Sequence, residues 1–208
     1  MMNENMKPTR THLKRLKETL DLSTKGHDLL EEKNEALILE RFSMSKDMDV
    51  KRKDMEKKLA DAFETLGNAQ ATLGHIETGY LGASVTEAPD PKISGKKIMG
   101  VNLLKINTPD YSRDILERGY NIADTNSLLD DTASLFEESI PKTLKVGETE
   151  TNSGILKKEI SKTRRKVTAL EDFMIPSLEK DRKSIIFKLD ERSREDFVRT
   201  KMVKRKIR

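Results

Sequence analysis

ILKKEISKTRRKVTALEDFMIPSLEKDRKSIIFKLDERSREDFVRTKMVKRKIR, running from Ile155 to Arg208, dictates the architecture of this chain. Its apolar residues fall at Ile160, Val167, Leu170, Met174, Leu178, Ile185, Leu189 and Phe197. Most of these steps are three, four or seven residues, which draws one narrow apolar stripe along a helix. Nearly everything else is Lys, Arg, Asp or Glu. A helix this polar cannot bury its stripe against itself, so it needs a partner.

The other end of the chain supplies one, from about Thr9 to Ile76. Pro8-Thr9 precedes the first helix, with Thr9 placed to cap it. Leu13, Leu16, Leu20, Leu30, Leu37, Met44 and Met48 open its stripe. Met55, Leu59, Ala62, Leu66, Ala69, Leu73 and Ile76 continue it in four-three alternation. Ser23, His27, Asn34 and Arg41 interrupt the early part. Either they lie on the seam and set its register, or the stripe drifts and they face solvent. With flush ends, an antiparallel pairing sets Leu16 beside Phe197 and Leu59 beside Ile155.

Composition agrees with elongated helices. The 208 residues are 37% charged, 35% hydrophobic and only 4% aromatic, without Trp, which is poor material for a compact globular core. Disorder also has low hydrophobicity, but it does not sustain heptads. The absence of Cys excludes a disulfide framework and a thiolate metal site. The first residues do not resemble a signal peptide, and the longest aliphatic run, Ala36-Leu37-Ile38-Leu39, is far short of a membrane span. A cytosolic chain is expected. Net charge is +4, with basic residues concentrated from Arg192 to Arg208 and acidic ones from Asp110 to Glu150. That asymmetry suits different protein partners at different places along the chain.

The middle is punctuated differently. Gly79, Gly82, Pro89, Pro91, Gly95, Gly100 and Pro109 are too dense for a helix. Lys92-Ile93-Ser94 and Ile98–Ile106 read as a strand pair, with Ser94-Gly95 as the turn. Helix is expected again near Tyr111, with Ile115, Ile122, Leu129, Phe136 and Ile140 on one face. Pro141, Gly147 and Gly154 are candidate kinks or breaks, and Pro176 should bend the last helix without ending it. The expected divisions are therefore 9–78, a long N-terminal helix; 79–109, a loop and β-hairpin insert; and 110–208, a helical arm returning along the first helix. The fold class is mainly α: a long antiparallel two-helix coiled coil with a small β-hairpin in its middle, a single elongated domain.

Chemistry is expected to be absent. His12, His27 and His75 are scattered in helical context and read as surface or seam residues, not as bases or ligands. No glycine-rich loop is followed by the Lys-Ser/Thr of a phosphate cradle, and Asp130-Asp131 and Glu137-Glu138 fit no metal spacing. No catalytic, cofactor or metal residue is assigned. The tail Lys201–Arg208 has the charge for phosphate contacts but no interleaved aromatics or nucleic-acid motif. A coiled-coil scaffold without further activity also explains the periodicity.

Ordered blocks at both ends go further. Pro8-Thr9-Arg10, Leu16-Lys17 and Lys25-Gly26-His27-Asp28-Leu29-Leu30-Glu31-Glu32-Lys33-Asn34-Glu35-Ala36-Leu37-Ile38 are similar to a PTR…GHDLLKxKRDxL pattern. Glu159–Glu171, Ile175-Pro176 and Lys188-Leu189-Asp190-Glu191-Arg192 follow in order, and Ile98-Met99-Gly100-Val101 lies between. Together they resemble the D subunit of the V-type and archaeal A-type rotary ATPases. Lys33-Asn34 departs from that family's basic pair. The resemblance implies a non-catalytic central rotor shaft, coupling ATP synthesis or hydrolysis to H+ or Na+ transport. It implies A and B subunits of the catalytic hexamer around the paired termini, with the charged face at Arg164, Arg165 and Lys166 and the tail residues Lys204, Arg205 and Lys206 as candidate head contacts. It also implies the F and C subunits at the other end, with the proteolipid ring reached through the C subunit. Leu66, Leu73, Ile122 and Leu129 are the candidate F-subunit contacts. The implied location is the cytoplasmic side of the cell membrane, as a peripheral part of the complex.

Overall fold

The computed structural model describes residues 8–121 and 125–207. It is mainly helical, in the order α1 (Arg10–Leu73), α2 (His75–Ser84), β1 (Lys92–Ile98), β2 (Val101–Asn107), a 3-10 turn (Ile115–Glu117), α3 (Ser127–Ala169), a π turn (Leu170–Met174) and α4 (Ile175–Ile207). Contacts gather it into two units, Met1–Ala36 with Ile160–Arg208, and Leu37–Glu159.

In the first unit, the start of α1 runs beside the end of α3, the π turn and α4. Thr9 caps α1: its hydroxyl accepts from the His12 backbone N–H at 3.2 Å. Leu16 and Ser23 are buried and Leu13, Leu20, His27 and Leu30 half-buried on one side. Thr163 and Ile185 are buried and Val167, Leu170, Ile175, Leu178 and Leu189 half-buried on the other. The polar interruptions divide: Ser23, His27 and Asn34 lie on the seam, while Arg41, in the second unit, is exposed. Ser23 stays satisfied by donating to the Thr19 carbonyl at 2.8 Å.

The expected register is wrong by about four helical turns. His27 Nε2 lies 4.0 Å from a Glu171 oxygen across the seam. Stepping equally back from His27 and on from Glu171 puts Leu16 level with Arg182, one turn from buried Ile185. Phe197 is 72% exposed and packs nowhere near Leu16. Met174 is also off the seam, with Ile175 taking its place. The π turn explains that shift, because the Ile175 N–H reaches back to the Leu170 carbonyl and inserts one extra residue. It sits just before Pro176, which has no N–H to continue an ordinary ladder.

In the second unit, the rest of α1 packs on α3. Leu37, Ala62 and Ala69 face Leu129, Ser139, Val146 and Leu156, all buried. Phe63 and Phe136 meet edge to face at 5.4 Å. Lys58 donates to Glu138 at 2.8 Å and Lys142 to Asp54 at 2.6 Å, while Arg52 pairs with Glu150. Leu59 therefore sits beside Glu138, not Ile155. Both pairing errors arise from assuming flush ends. α3 runs through Pro141 and Gly154 without interruption.

The first helix ends before Gly79. Gly74, at φ 91°, separates α1 from α2 in a conformation that favours glycine. Ile76 consequently leaves the stripe and is 74% exposed. Helix α2 then carries Gly79 and Gly82 inside it, at about 1 kcal/mol each in propensity. The hairpin turn is also displaced. Ile98 pairs with Val101, so the turn residues are Met99 and Gly100, at φ 50° and 80°, and Ser94-Gly95 lies within β1. Two positive-φ residues are what a two-residue hairpin needs to match strand twist.

Helix does not resume at Tyr111. Residues 108–121 are irregular apart from the 3-10 turn, which Asp114 caps by accepting from the Ile115 N–H. Their polar groups bind outward instead. Arg113 donates to the carbonyls of Thr86 and Glu87, at 2.6 and 2.9 Å. Asn126 caps α3, accepting from the Leu129 N–H at 3.0 Å.

Candidate functional site

The candidate contact residues fall on three surfaces. Arg164, Arg165 and Lys166, near the end of α3, are all exposed. Arg165 donates along its own helix to Ser161 Oγ at 3.3 Å. Lys204, Arg205 and Lys206 occupy the last turn of α4 and are exposed too, which suits the negative end of a helix dipole.

Between Leu189 and that last turn lies a surface of which periodicity assigns Phe197 to the seam. Every residue from Asp190 to Ile207 is exposed. Phe197, Val198, Met202, Val203 and Ile207 are 72%, 52%, 66%, 52% and 81% accessible. The register accounts for this: α1 begins at Arg10, level with Lys188, so no later turn of α4 meets α1. Val198 and Met202 share one face, interleaved with Arg194, Lys201 and Arg205. The signal was present as a stripe that loses its regular spacing after Leu189.

The third surface belongs to the second unit. Leu66 and Leu129 line one cavity of about 270 Å³, together with Val85, Tyr111, Tyr120 and Phe136. Leu129 is buried, and Leu66 and Leu73 are half-buried. Ile122 lies outside the described residues. Beside the cavity, Arg118 is 5% exposed and forks onto both oxygens of Glu137 at 3.2 Å. It also donates to the Asp130 carbonyl at 3.1 Å, and Tyr120 donates its hydroxyl to the Asp130 carboxylate at 2.7 Å. Burial first, and then that hydrogen bond, holds the Tyr120 phenol above its ordinary value. The network fixes the 111–121 loop to α3, and sequence spacing gave no hint of it.

His27, Asp28 and Glu31 bring one nitrogen or oxygen each within 4.8 Å of one another. Both carboxylates are exposed and they follow helical spacing, as a solvated face does. No helix among the described residues is long and apolar enough to cross a membrane.

Known proteins are similar to this chain over nearly its whole length. The A-type ATP synthase D subunit of Methanobrevibacter smithii is 39% identical over 204 residues, covering 98% of this chain and 88% of that protein. The D subunit of Methanosarcina mazei is 37% identical over 208 residues, covering both chains completely. That of Thermococcus sibiricus is 39% identical over 199 residues, or 96% and 93%. A family profile described as the ATP synthase D subunit matches residues 12–205. With the profile spanning nearly every residue and the relatives matching at almost full length, the chain belongs to the ATP synthase D-subunit family.

Proposed function

We propose that this chain is the non-catalytic central-stalk component of a rotary ATP synthase. In this role it transmits torque between a catalytic head of A and B subunits and a membrane ring that moves H+ or Na+. The observation that carries the reading is the wholly exposed end of α4, Asp190–Ile207, in a chain of the ATP synthase D-subunit family. An apolar stripe flanked by Arg and Lys is the surface of a helix made to be surrounded. Contacts that are partly polar and spread along a helix can be exchanged during rotation without a deep trap at any angle.

The head contacts assigned to this surface are Lys204, Arg205 and Lys206, with Arg164, Arg165 and Lys166 further along the first unit. The F subunit is assigned to the second unit, around Leu66, Leu73, Ile122 and Leu129. Because Leu129 is already buried, its part is to shape the cavity wall against which the F subunit rests. The C subunit is the expected link to the proteolipid ring, and the complex would hold this chain at the cytoplasmic face of the membrane.

The test is affinity capture of the tagged full-length chain from its own cells, followed by mass spectrometry. Identified A, B and F subunits are expected with the intact chain. A chain truncated after Leu189 should lose A and B while keeping F. Capture without any other ATPase component would overturn the reading in favour of an unconnected scaffold.

A further inference from the structure

His27 is a seam residue whose chemistry changes near neutral pH. Its side chain is 16% exposed. Nδ1 lies 3.1 Å from an oxygen of Asp28. An ionised carboxylate only accepts, so Nδ1 must carry the hydrogen. In the neutral ring Nε2 is then a bare lone pair. It is inaccessible, has no hydrogen-bond partner among the described residues, and lies 4.0 Å from the Glu171 carboxylate on the π turn. Two acceptors face each other there.

A single proton reverses that relation. On Nε2 it makes a donor facing a carboxylate, and Glu171, 67% exposed, has room to swing the remaining ångström or so inward. The geometry points to His27 as a proton-operated clasp that ties α1 to the π turn when the ring is charged and releases it when neutral. The charged groups acting on the ring are Asp28 and Glu31 from α1 and Glu171 from the π turn. All three favour the imidazolium. The hydrogen bond to Asp28 is the largest influence; burial opposes it, and the balance raises the ring above its ordinary 6.5.

A raised value fixes the direction of the effect. The clasp contributes fully below the unfolded ring's ordinary value and is lost as pH rises through the higher folded value. Its position matters because the π turn is the irregular element that resets the helix stripe. Mild acidification therefore tightens the helix pair at the place where its phase changes. This device goes beyond the stalk reading and does not depend on it.

The experiment is an NMR titration of the His27 ring in the full-length chain, with amide exchange followed at Ile175. The wild type should titrate above the ordinary imidazole value. Glu171→Gln, a change at an exposed site, should move the midpoint down toward that value. Protection of the Ile175 amide, corrected for intrinsic exchange, should rise as the wild-type ring charges and stay flat in His27→Gln. If His27→Gln fails to fold, Glu171→Gln alone decides. Identical titrations in the wild type and Glu171→Gln, or Ile175 protection indifferent to ring charge, overturn the clasp.

Discussion

Asn152 of α3 holds Leu104 of β2 as a neighbouring strand would. The Leu104 N–H donates to Asn152 Oδ1 at 2.7 Å, and Asn152 Nδ2 donates to the Leu104 carbonyl at 2.8 Å. One α-helical side chain thus closes both outward backbone groups of a residue at the strand edge. Glu148, one turn earlier, accepts from the Ile106 N–H at 3.1 Å. A two-stranded hairpin is marginal alone, and these bonds, with buried Val101 and Leu103, attach it to α3. Asn152→Ala should cost about 1–3 kcal/mol, because it leaves a partly buried N–H and C=O unpaired. Hydrogen exchange at Leu104 should speed up far more than exchange within α3. Equal acceleration everywhere would mean that Asn152 stabilises the unit without clasping the hairpin.

Gly119 is required where the 111–121 loop crosses the end of α2. Its φ is 93°, and a Cβ there would stand 2.8 Å from the Ser84 carbonyl oxygen and from Thr86 Oγ1. Gly119→Ala should therefore destabilise by more than about 1–2 kcal/mol, the left-handed penalty alone. Gly95→Ala in β1, where a Cβ meets nothing within 4 Å, should stay within about 0.5 kcal/mol. Paired denaturant melts separate the two outcomes; similar losses would remove the special status of Gly119.

These two sites also mark the limit of what periodicity makes legible. Stripes such as Met55–Leu73 and Ile160–Leu170 reveal helices because burial repeats with the helical turn. They reveal neither where a helix is reset nor how far two helices slide. The π insertion at Leu170–Met174 moves the seam from Met174 to Ile175, and no spacing rule anticipates one extra residue. Sliding follows from where the chain turns back, and the helical pattern at Tyr111 misplaces that point. Arg113 and Arg118 bind backbone carbonyls and Glu137 across the fold, and such long-range pairing overrides local helical pattern. In the same way tertiary packing keeps Gly79 and Gly82 helical. Of the candidate contacts, the two basic groups are legible as exposed charge. On the apolar tail Phe197 is hidden by its likeness to seam, and Val198 and Met202 fall outside the stripe.

The α1–α3 ion pairs make the second unit sensitive to acid. Hydrogen bonds from Lys142 and Lys58 hold the Asp54 and Glu138 carboxyls below their ordinary values. Lowered carboxyl values contribute stability above the unfolded range, and it fades as pH falls through the folded values. Thermal melts should therefore drop below about pH 4, near the ordinary carboxyl range, and Lys58→Ala with Lys142→Ala should flatten that limb. High salt should flatten it too, since the pairs are largely exposed. An unchanged acid limb in the double variant would assign it to other carboxylates.

Met174 and Ile175 give the sharpest test of the helix pairing, because two readings of the same residues predict opposite results. A regular three-four stripe from Leu170 places Met174 in the seam and turns Ile175 outward. The π turn does the reverse: Met174 is 44% exposed and Ile175 is half-buried against α1. Full burial of an Ile side chain makes its truncation to Ala cost about 2–5 kcal/mol, and half-burial reduces that to roughly 1–2 kcal/mol. Ile175→Ala should lose that amount in chemical denaturation, while Met174→Ala should stay within about 0.5 kcal/mol. Both variants keep good helix formers in a helical segment, so propensity does not blur the comparison. A greater loss at Met174 would mean that the helix is regular through this turn. The Ile175 N–H would then no longer reach Leu170, and Glu171 would stand about 100° further round the helix, away from His27.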